Sequence, residues 1–369
     1  MSEPIRILNM FTIMDRGGAE TMVMNYYRHI DRNKVQFDFL VHRDQRGAYD
    51  DEIESLGGRI FRMCPVYPQN FLNYKKKLKK FFTEHQEYQI IHSHMSELGY
   101  FAFKEAKRQN IPVRICHAHN APNNFDAKVI VRTYFKHLMM PYITHLFVCG
   151  KSAGDWLYGK KNERRFIMMN NAIDAKKYVY SEQTAEEVRK ELGVGDCKVI
   201  GHIGRFNPQK NHIFLIDIFS EIKKIQPDTK LLLVGGGDGM AEIRHKVERL
   251  ELTDSVIFTG VRSDVHRLLQ AMNVFVFPSL YEGLPVTMVE AQAAGLPCVI
   301  SDHVPEECIV TQDLVTIQRL SDSPESWAKH IVSRMNTDRK DTREEIKAHG
   351  FDIAENAKWL EEFYLEQNK

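Results

Sequence analysis

The stretch FPSLYEGLPVTMVEAQAAGLP at residues 277–297 closes an apolar run and continues into a loop and a short helix. The apolar run at 274–277 predicts a buried strand. Pro285 suits the first turn of a helix, where its missing N–H is not needed. Gly295, followed by a proline, supplies the usual stop signal for that helix. Strand, loop and helix in this order form the unit from which parallel sheets are built.

Two carboxylates in this stretch need polar partners. Glu282 lies in the loop before the helix, and Glu290 lies within the helix between apolar neighbours. A carboxylate in apolar surroundings is costly unless a polar group meets it. The first turn of the helix also offers unpaired N–H groups, which suit a phosphate. The stretch therefore predicts a crevice that holds a sugar or ribose hydroxyl beside a phosphate.

Strands and helices alternate along the rest of the chain, which predicts parallel sheets in an α/β protein. One series of buried strands is predicted at 5–13, 37–42, 90–94, 113–117 and 145–149. A polar, charged helix and turn at 181–196 precede a second series, predicted at 199–203, 230–234, 256–259, 274–277 and 297–300. We expect two Rossmann-like, doubly wound domains facing each other across a cleft, at residues 1–175 and 176–345, followed by a C-terminal helix at 346–369.

Composition excludes several classes of protein. The 369 residues suffice for two domains, and 43% hydrophobic with 27% charged residues describes a globular chain. The formal net charge of +1 argues against binding to nucleic acid through bulk charge. Six cysteines without a CxxC pair fit reduced thiols, and neither a signal-peptide layout nor an apolar run of about 18 residues is present. We expect a cytoplasmic protein.

Glycines and cations follow several predicted strands. Gly17 and Gly18 follow the first strand and permit close approach of a ligand, although an ordinary strand–helix turn has the same composition. Gly204 frees the backbone after the strand at 199–203, where Arg205 and Lys210 suit a diphosphate unless they form a solvated basic loop. No Asp-x-Asp pair occurs that would hold a diphosphate through a metal. The two cations would replace that metal, so neither a metal nor a cofactor is expected.

Further glycines follow the next two strands. LLLVGGGDG offers Gly235 for a ligand, but Met240 stands where the third glycine of a dinucleotide fingerprint belongs, which disfavours an oxidoreductase. In FTGVRSDV, Gly260 and Val261 can bring backbone groups against a flat base.

Histidines cluster after two strands of the first series. His92 and His94 form one H-x-H pair, and His117 and His119 form another. Such a pair on a strand puts both rings on one face, which is compatible with a metal. Because no acid or cysteine keeps matching spacing, three of the four are interpreted as structural. His119, at the start of a loop, is the candidate for a substrate contact.

The segment KKKLKKFF, residues 75–82, is strongly basic with apolar residues at helical spacing. It could rest on an anionic membrane surface. The alternative is a solvated helix face whose apolar stripe lies in the core.

Three motifs together resemble the retaining glycosyltransferases of family 4, which have the GT-B fold. They are GGAE at 17–20, GRFNPQKNH at 204–212 and EGLPVTMVE at 282–290, and the resemblance covers essentially the whole chain. It implies a second domain that binds a UDP-sugar and a first domain that binds the acceptor, with the final helix crossing back to the first domain. One departure is Ala172, where the family's N-G-[IV]-D turn has glycine.

The resemblance also implies residue roles. Glu290 would hold the ribose, and Glu282 would lie near the donor sugar, with the backbone of Gly283 and Leu284 at the phosphates. Arg205 and Lys210 would clamp the diphosphate, Gly17 and Gly18 would form the first-domain loop, and His119 would be the active-site histidine. The nucleotide-binding set thus comprises Gly17, Gly18, Gly204, Arg205, Lys210, Gly235, Gly260, Val261, Glu282, Gly283, Leu284 and Glu290, and the catalytic set His119, Glu282, Arg205 and Lys210.

The expected activity is transfer of a hexosyl or N-acetylhexosaminyl group from a UDP-sugar to a saccharide or lipid-linked saccharide, in exopolysaccharide or capsule synthesis. Peripheral contact with the inner face of the membrane would accompany a lipid-linked acceptor. Two alternatives stay open. A nucleotide-sugar epimerase of the same fold would need no acceptor, and a nucleotide-binding module would catalyse no reaction.

Overall fold

The computed structural model describes residues 3–119 and 128–368, which form two compact units. One unit comprises Met1–Ala172 together with Ile353–Lys369, and the other comprises Ile173–Asp352. Within the described residues the six cysteines include no disulfide.

The first unit is a seven-stranded parallel sheet with the order β3-β2-β1-β4-β5-β6-β7. Its strands are β1 Ile5–Phe11, β2 Val35–Val41, β3 Ile60–Arg62, β4 Ile90–Ser93, β5 Val113–Ala118, β6 His145–Val148 and β7 Phe166–Met168. Its helices are α1 Gly18–His29, α2 Asp50–Ser55, α3 Phe71–Glu84, α4 Tyr100–Arg108, α5 Lys128–Met139 and α6 Lys151–Tyr158.

The second unit is a six-stranded parallel sheet with the order β10-β9-β8-β11-β12-β13. Its strands are β8 Lys198–Ile203, β9 Thr229–Val234, β10 Val256–Gly260, β11 Val274–Phe277, β12 Cys298–Ser301 and β13 Val315–Gln318. Its helices are α7 Glu182–Glu191, α8 His212–Ile225, α9 Met240–Arg249, α10 Val265–Ala271, α11 Val286–Ala293, α12 Pro324–Arg334 and α13 Arg343–Ala348.

Each sheet packs against apolar clusters on both of its faces. Successive side chains of a strand point to opposite faces, so one strand contributes to two clusters. Along β1, Leu8 and Met10 belong to one apolar cluster of the first unit, whereas Ile7 and Phe11 belong to the other. Strand β11 divides in the same way between two clusters of the second unit. This double burial explains why the central strands read as continuous apolar runs.

The last helix, α14 at Ile353–Gln367, packs on α1 and β2 of the first unit. Its buried face includes Leu360 and Tyr364. Glu361 forms an ion pair with Lys34, in which Nζ lies 2.8 Å from Oε1. Helix α14 therefore belongs to the first unit and contributes to its core.

Candidate active site

Glu290 lies in α11 and does meet a polar partner. The helix begins after Pro285 and is followed by Gly295, whose φ of +62° suits glycine at a helix end. The Tyr178 hydroxyl donates a hydrogen bond of 2.6 Å to Glu290 Oε1. Burial raises the pKa of Glu290, and this hydrogen bond lowers it. One carboxylate oxygen is thus held by the protein, and Oε2, which has no hydrogen-bond partner among the described residues, is left for another donor.

Glu282 and Lys210 form an enclosed ion pair in the second unit. Lys210 Nζ lies 2.7 Å from Glu282 Oε1, and their side chains are 15% and 6% exposed. Gln209 Nε2 donates to Glu282 Oε2 at 3.2 Å. The ammonium also lies 4.4 Å from the centre of the Phe277 ring. The acid and the cation that sequence places 72 residues apart therefore neutralise each other.

Arg205 differs from Lys210 in being exposed. Within the described part of the chain its guanidinium has no hydrogen-bond or ion-pair partner. Because only Gly204 separates Arg205 from the end of β8, an unneutralised cation stands at the carboxyl end of a central strand of the sheet. This is the edge at which ligands of open α/β sheets bind.

The predicted glycines hold the neighbouring loops together. Gly204 N–H donates to Val234 O, and Gly235 N–H donates to Gly260 O, both at 2.9 Å. Gly235 has a φ of +142°, and a Cβ there would collide with the carbonyl oxygen of Gly204. Val261, next to Gly260, is exposed at the same edge. Gly235 is therefore required by the packing of two loops.

Gly17 and Gly18 lie between β1 and α1 under different constraints. Gly17 has a φ of −94°, and a Cβ there would meet only the flexible side chain of Glu20. A Cβ at Gly18 would have no atom within 4 Å. Neither the backbone conformation nor the surrounding packing requires glycine at these positions.

Ala172 occupies the position at which the family's N-G-[IV]-D turn has glycine. It is buried and its φ is not positive, so the backbone at this position does not require glycine.

The four histidines form one stack on the face of β4 and β5. His94 Nδ1 lies 2.9 Å from His119 Nε2, and the ring centres of His117 and His119 lie 4.2 Å apart. His92 stacks on His94 at 4.4 Å, with its Nδ1 2.7 Å from the Tyr364 hydroxyl. His119 is half-buried, whereas the other three are buried.

Burial keeps this stack neutral. It lowers the pKa of His92 to about 3 and that of His119 to about 4. One nitrogen each of His92, His94 and His117 lies within 4.8 Å of the others, which brings together a possible set of metal ligands. The three rings are also stacked, with the plane of His92 at 23° and 19° to the planes of His94 and His117. The arrangement fits stacked neutral rings.

The basic segment lies in α3, and its apolar stripe is in the core. Tyr74, Leu78, Phe81 and Phe82 are buried in the first unit. The alternative of a helix whose apolar stripe lies in the core describes the packing of this segment, and its lysines are exposed. Contact of this basic face with an anionic membrane stays a prediction. Among the described residues no helix has both the length and the apolar character needed to cross a bilayer.

The sequence analysis missed two side chains that touch the predicted ones, since Tyr178 holds Glu290 and Gln209 holds Glu282. A third, His94, was interpreted only as structural, and it contacts His119. His94 carried a signal, because its H-x-H spacing puts it on the same face as its neighbours. Tyr178 lies in a segment without regular spacing, so nothing in the sequence pairs it with a residue 112 positions later.

Known proteins resemble this chain along its length. Residues 16–202 match the family model of glycosyltransferase family 4, and residues 184–351 match that of glycosyl transferases group 1. The putative glycosyltransferase EpsF of Bacillus subtilis (strain 168) is 37% identical over 360 residues, which cover 95% of this chain and 94% of that protein. The UDP-Gal:alpha-D-GlcNAc-diphosphoundecaprenol alpha-1,3-galactosyltransferase of Escherichia coli is 24% identical over 81% of this chain and 79% of its own length.

The fold also matches a solved structure. Anabaena Alr3699/HepE in complex with UDP and glucose aligns with a TM-score of 0.78 at 20% identity, over 98% of this chain and 100% of that one. The predicted fold class, two Rossmann-like α/β domains of the GT-B type, is thereby confirmed.

Proposed function

We propose that this chain, which belongs to glycosyltransferase family 4, moves a sugar from a UDP-sugar to a saccharide or lipid-linked saccharide acceptor with retention of anomeric configuration. The transferred group is a hexosyl or N-acetylhexosaminyl group, and the product belongs to exopolysaccharide or capsule synthesis. Support comes from EpsF, a putative glycosyltransferase, and from the Escherichia coli relative, whose name gives UDP-Gal as its donor and a diphosphoundecaprenol-linked sugar as its acceptor.

The observation that carries the donor site is the set of side chains at the carboxyl edge of the second sheet. Glu290 offers a free carboxylate oxygen to the ribose hydroxyls, while Tyr178 fixes the other. Arg205 offers an unneutralised guanidinium to the diphosphate. Lys210 and Glu282 together offer a cation for a phosphate oxygen and an acid for a hydroxyl of the donor sugar.

We propose a mechanism that uses these groups. The bond between the anomeric carbon and the diphosphate oxygen breaks, and the acceptor oxygen attacks from the same face. The acceptor proton passes to the departing diphosphate, so the protein needs no nucleophile of its own. Arg205 and Lys210 stabilise the negative charge that develops on the diphosphate, in a reaction for which we propose neither metal nor cofactor.

A lipid-linked acceptor also requires contact with a membrane surface, and the first unit has a suitable patch. Leu72 at the start of α3 is 83% exposed, and Val131 and Tyr134 on α5 are exposed as well. The two helices meet through Phe71 and Phe135, whose ring centres lie 6.2 Å apart. Exposed lysines of α3 continue from this patch. We propose that these residues, rather than the buried phenylalanines, touch anionic lipid.

The activity is tested with a panel of nucleotide sugars and a saccharide acceptor, with the anomeric configuration of the product read by NMR. Transfer from one UDP-sugar with retention supports the proposal. Release of an altered free sugar without acceptor would indicate the epimerase, and binding without turnover would indicate the nucleotide-binding module.

Co-sedimentation with anionic vesicles tests the membrane patch. Leu72→Asp should weaken binding to the vesicles, whereas Ile225→Asp, at an exposed apolar site of the second unit, should not.

A further inference from the structure

The hydrogen bond between His94 and His119 joins a buried ring to a half-buried one. We propose that His94 is a positioning residue that fixes the tautomer and orientation of His119, so that Nδ1 of His119 accepts a hydrogen bond from a substrate hydroxyl. This inference rests on the proposed transfer reaction and on the role of active-site histidine that the family resemblance implies for His119.

The tautomer follows from the partner of His94 on β1. Asn9 Oδ1 lies 3.4 Å from His94 Nε2, and a carbonyl oxygen only accepts, so the proton of His94 is on Nε2. His94 Nδ1 then carries a lone pair and accepts the Nε2–H of His119. A neutral imidazole has one proton, which leaves Nδ1 of His119 as an acceptor. Asn9 and His94 are both buried, so bulk water does not compete for these contacts.

Stacking contacts keep the ring of His94 in this orientation. Phe11 stacks on one side of His94, with ring centres 4.3 Å apart and planes within 9°. His92 stacks on it as well, and His92 is itself tied to Tyr364. Rotation of His94 would break these contacts together. His119 is therefore held by a ring that has little freedom of its own.

The surroundings also keep His119 from acting as a proton-taking base near neutral pH. Burial lowers its pKa to about 4. The neighbouring rings of His92, His94 and His117 are neutral for the same reason, because burial lowers the pKa of each. A neutral, oriented acceptor suits a mechanism in which the departing diphosphate takes the acceptor proton.

The tautomer is measured on the wild-type protein by long-range ¹⁵N–¹H NMR of ring-labelled histidine, with His119→Ala identifying the signals of His119. We expect a protonated Nε2 and an unprotonated Nδ1. A protonated Nδ1 would overturn the proposal. One equivalent of tightly held zinc in the purified protein would also overturn it, because ring nitrogens of the stack would then bind the metal.

Kinetics provide the second test, with His117→Phe as the matched control. His117 lies in the same stack and is fully buried, but within the described residues neither of its ring nitrogens has a hydrogen-bond partner. We expect His94→Phe to lower kcat about tenfold or more while UDP affinity, which belongs to the second unit, is unchanged. His117→Phe should change kcat less than threefold at a similar loss of Tm.

The outcomes separate this inference from the function on which it rests. Equal losses of kcat in the two phenylalanine variants would show a packing role for the stack and overturn the positioning role of His94. If His119→Ala retains full transfer, the proposed role of His119 itself fails. If His119→Ala loses transfer and His94→Phe does not, only the positioning role fails.

Discussion

Lys210 and Glu282 each meet an opposite charge in the second unit, so removal of either one leaves its partner uncompensated. Lys210→Met should destabilise the unit by about 1–3 kcal/mol, because Glu282 is almost fully enclosed and would lose its cation. It should also weaken UDP binding, since one of the two cations near the diphosphate is lost. Urea unfolding and titration calorimetry with UDP measure the two effects.

Arg205→Gln is the matched control for this variant. Arg205 is exposed and has no ion-pair partner within the described residues, so its loss should leave the free energy of unfolding unchanged. UDP binding and turnover should still fall strongly. If Arg205→Gln binds UDP with wild-type affinity, the guanidinium does not contact the diphosphate.

Burial raises the pKa of Glu290, and the hydrogen bond from Tyr178 opposes this rise. Tyr178→Phe removes the hydrogen bond that lowers the pKa of Glu290, so the pKa that burial has already raised should rise further. A protonated carboxyl is a poorer acceptor for ribose hydroxyls. UDP affinity should therefore decline as pH falls, and the decline should begin at higher pH in Tyr178→Phe than in the wild type.

Calorimetry with UDP between pH 5 and 8 checks this expectation. Tyr180→Phe serves as the control, because this nearby tyrosine is partly exposed and its ring meets Arg339 rather than Glu290. Identical pH profiles for Tyr178→Phe and the wild type would show that Tyr178 has no influence on the ribose acid.

Two glycines, Gly18 after β1 and Gly235 after β9, differ in whether the fold requires them. Substituting each one therefore distinguishes a structural role of glycine from a role in ligand binding. Gly235→Ala should destabilise the second unit, because its φ is positive and a Cβ would collide with Gly204 O. Gly18→Ala should leave Tm unchanged or slightly higher, since its Cβ would have free space at the start of α1. If a ligand approaches this loop closely, Gly18→Ala should nevertheless lose most of its transfer activity. A stable, fully active Gly18→Ala would refute the ligand role of the loop.

At the level of elements, the sequence predicts the central strands and the edge strand β10, but not the other three edge strands. The strands β3, β7 and β13 were missed because they are short and partly exposed, so they lack a continuous apolar run. The two H-x-H pairs were predicted to lie on one face each, and the pairing of β4 with β5 then makes them a single stack. The Lys210–Glu282 contact could not be predicted, since spacing along the chain does not determine which side chains meet after β8 and β11 become neighbours.

Across the whole molecule, the first unit depends on residues that follow the entire second unit. Helix α14 contributes Leu360 and Tyr364 to the core of the first unit, where Tyr364 also meets His92. Leu360→Ala should lower the stability of the first unit by about 2–5 kcal/mol, because a fully buried leucine is lost. Hydrogen exchange should therefore accelerate in β1, β2 and β4, and remain unchanged in β8, β9 and β11.

Lys358→Ala, on the exposed side of the same helix, is the control and should change neither set of strands. Weaker protection of the second sheet in Leu360→Ala would contradict the assignment of α14 to the first unit alone. Because the Tyr364–His92 contact lies in the same core, the stack that holds His119 should loosen along with the helix. Leu360→Ala is accordingly expected to lose transfer activity while it still binds UDP, so a structural residue of the first unit separates the two steps.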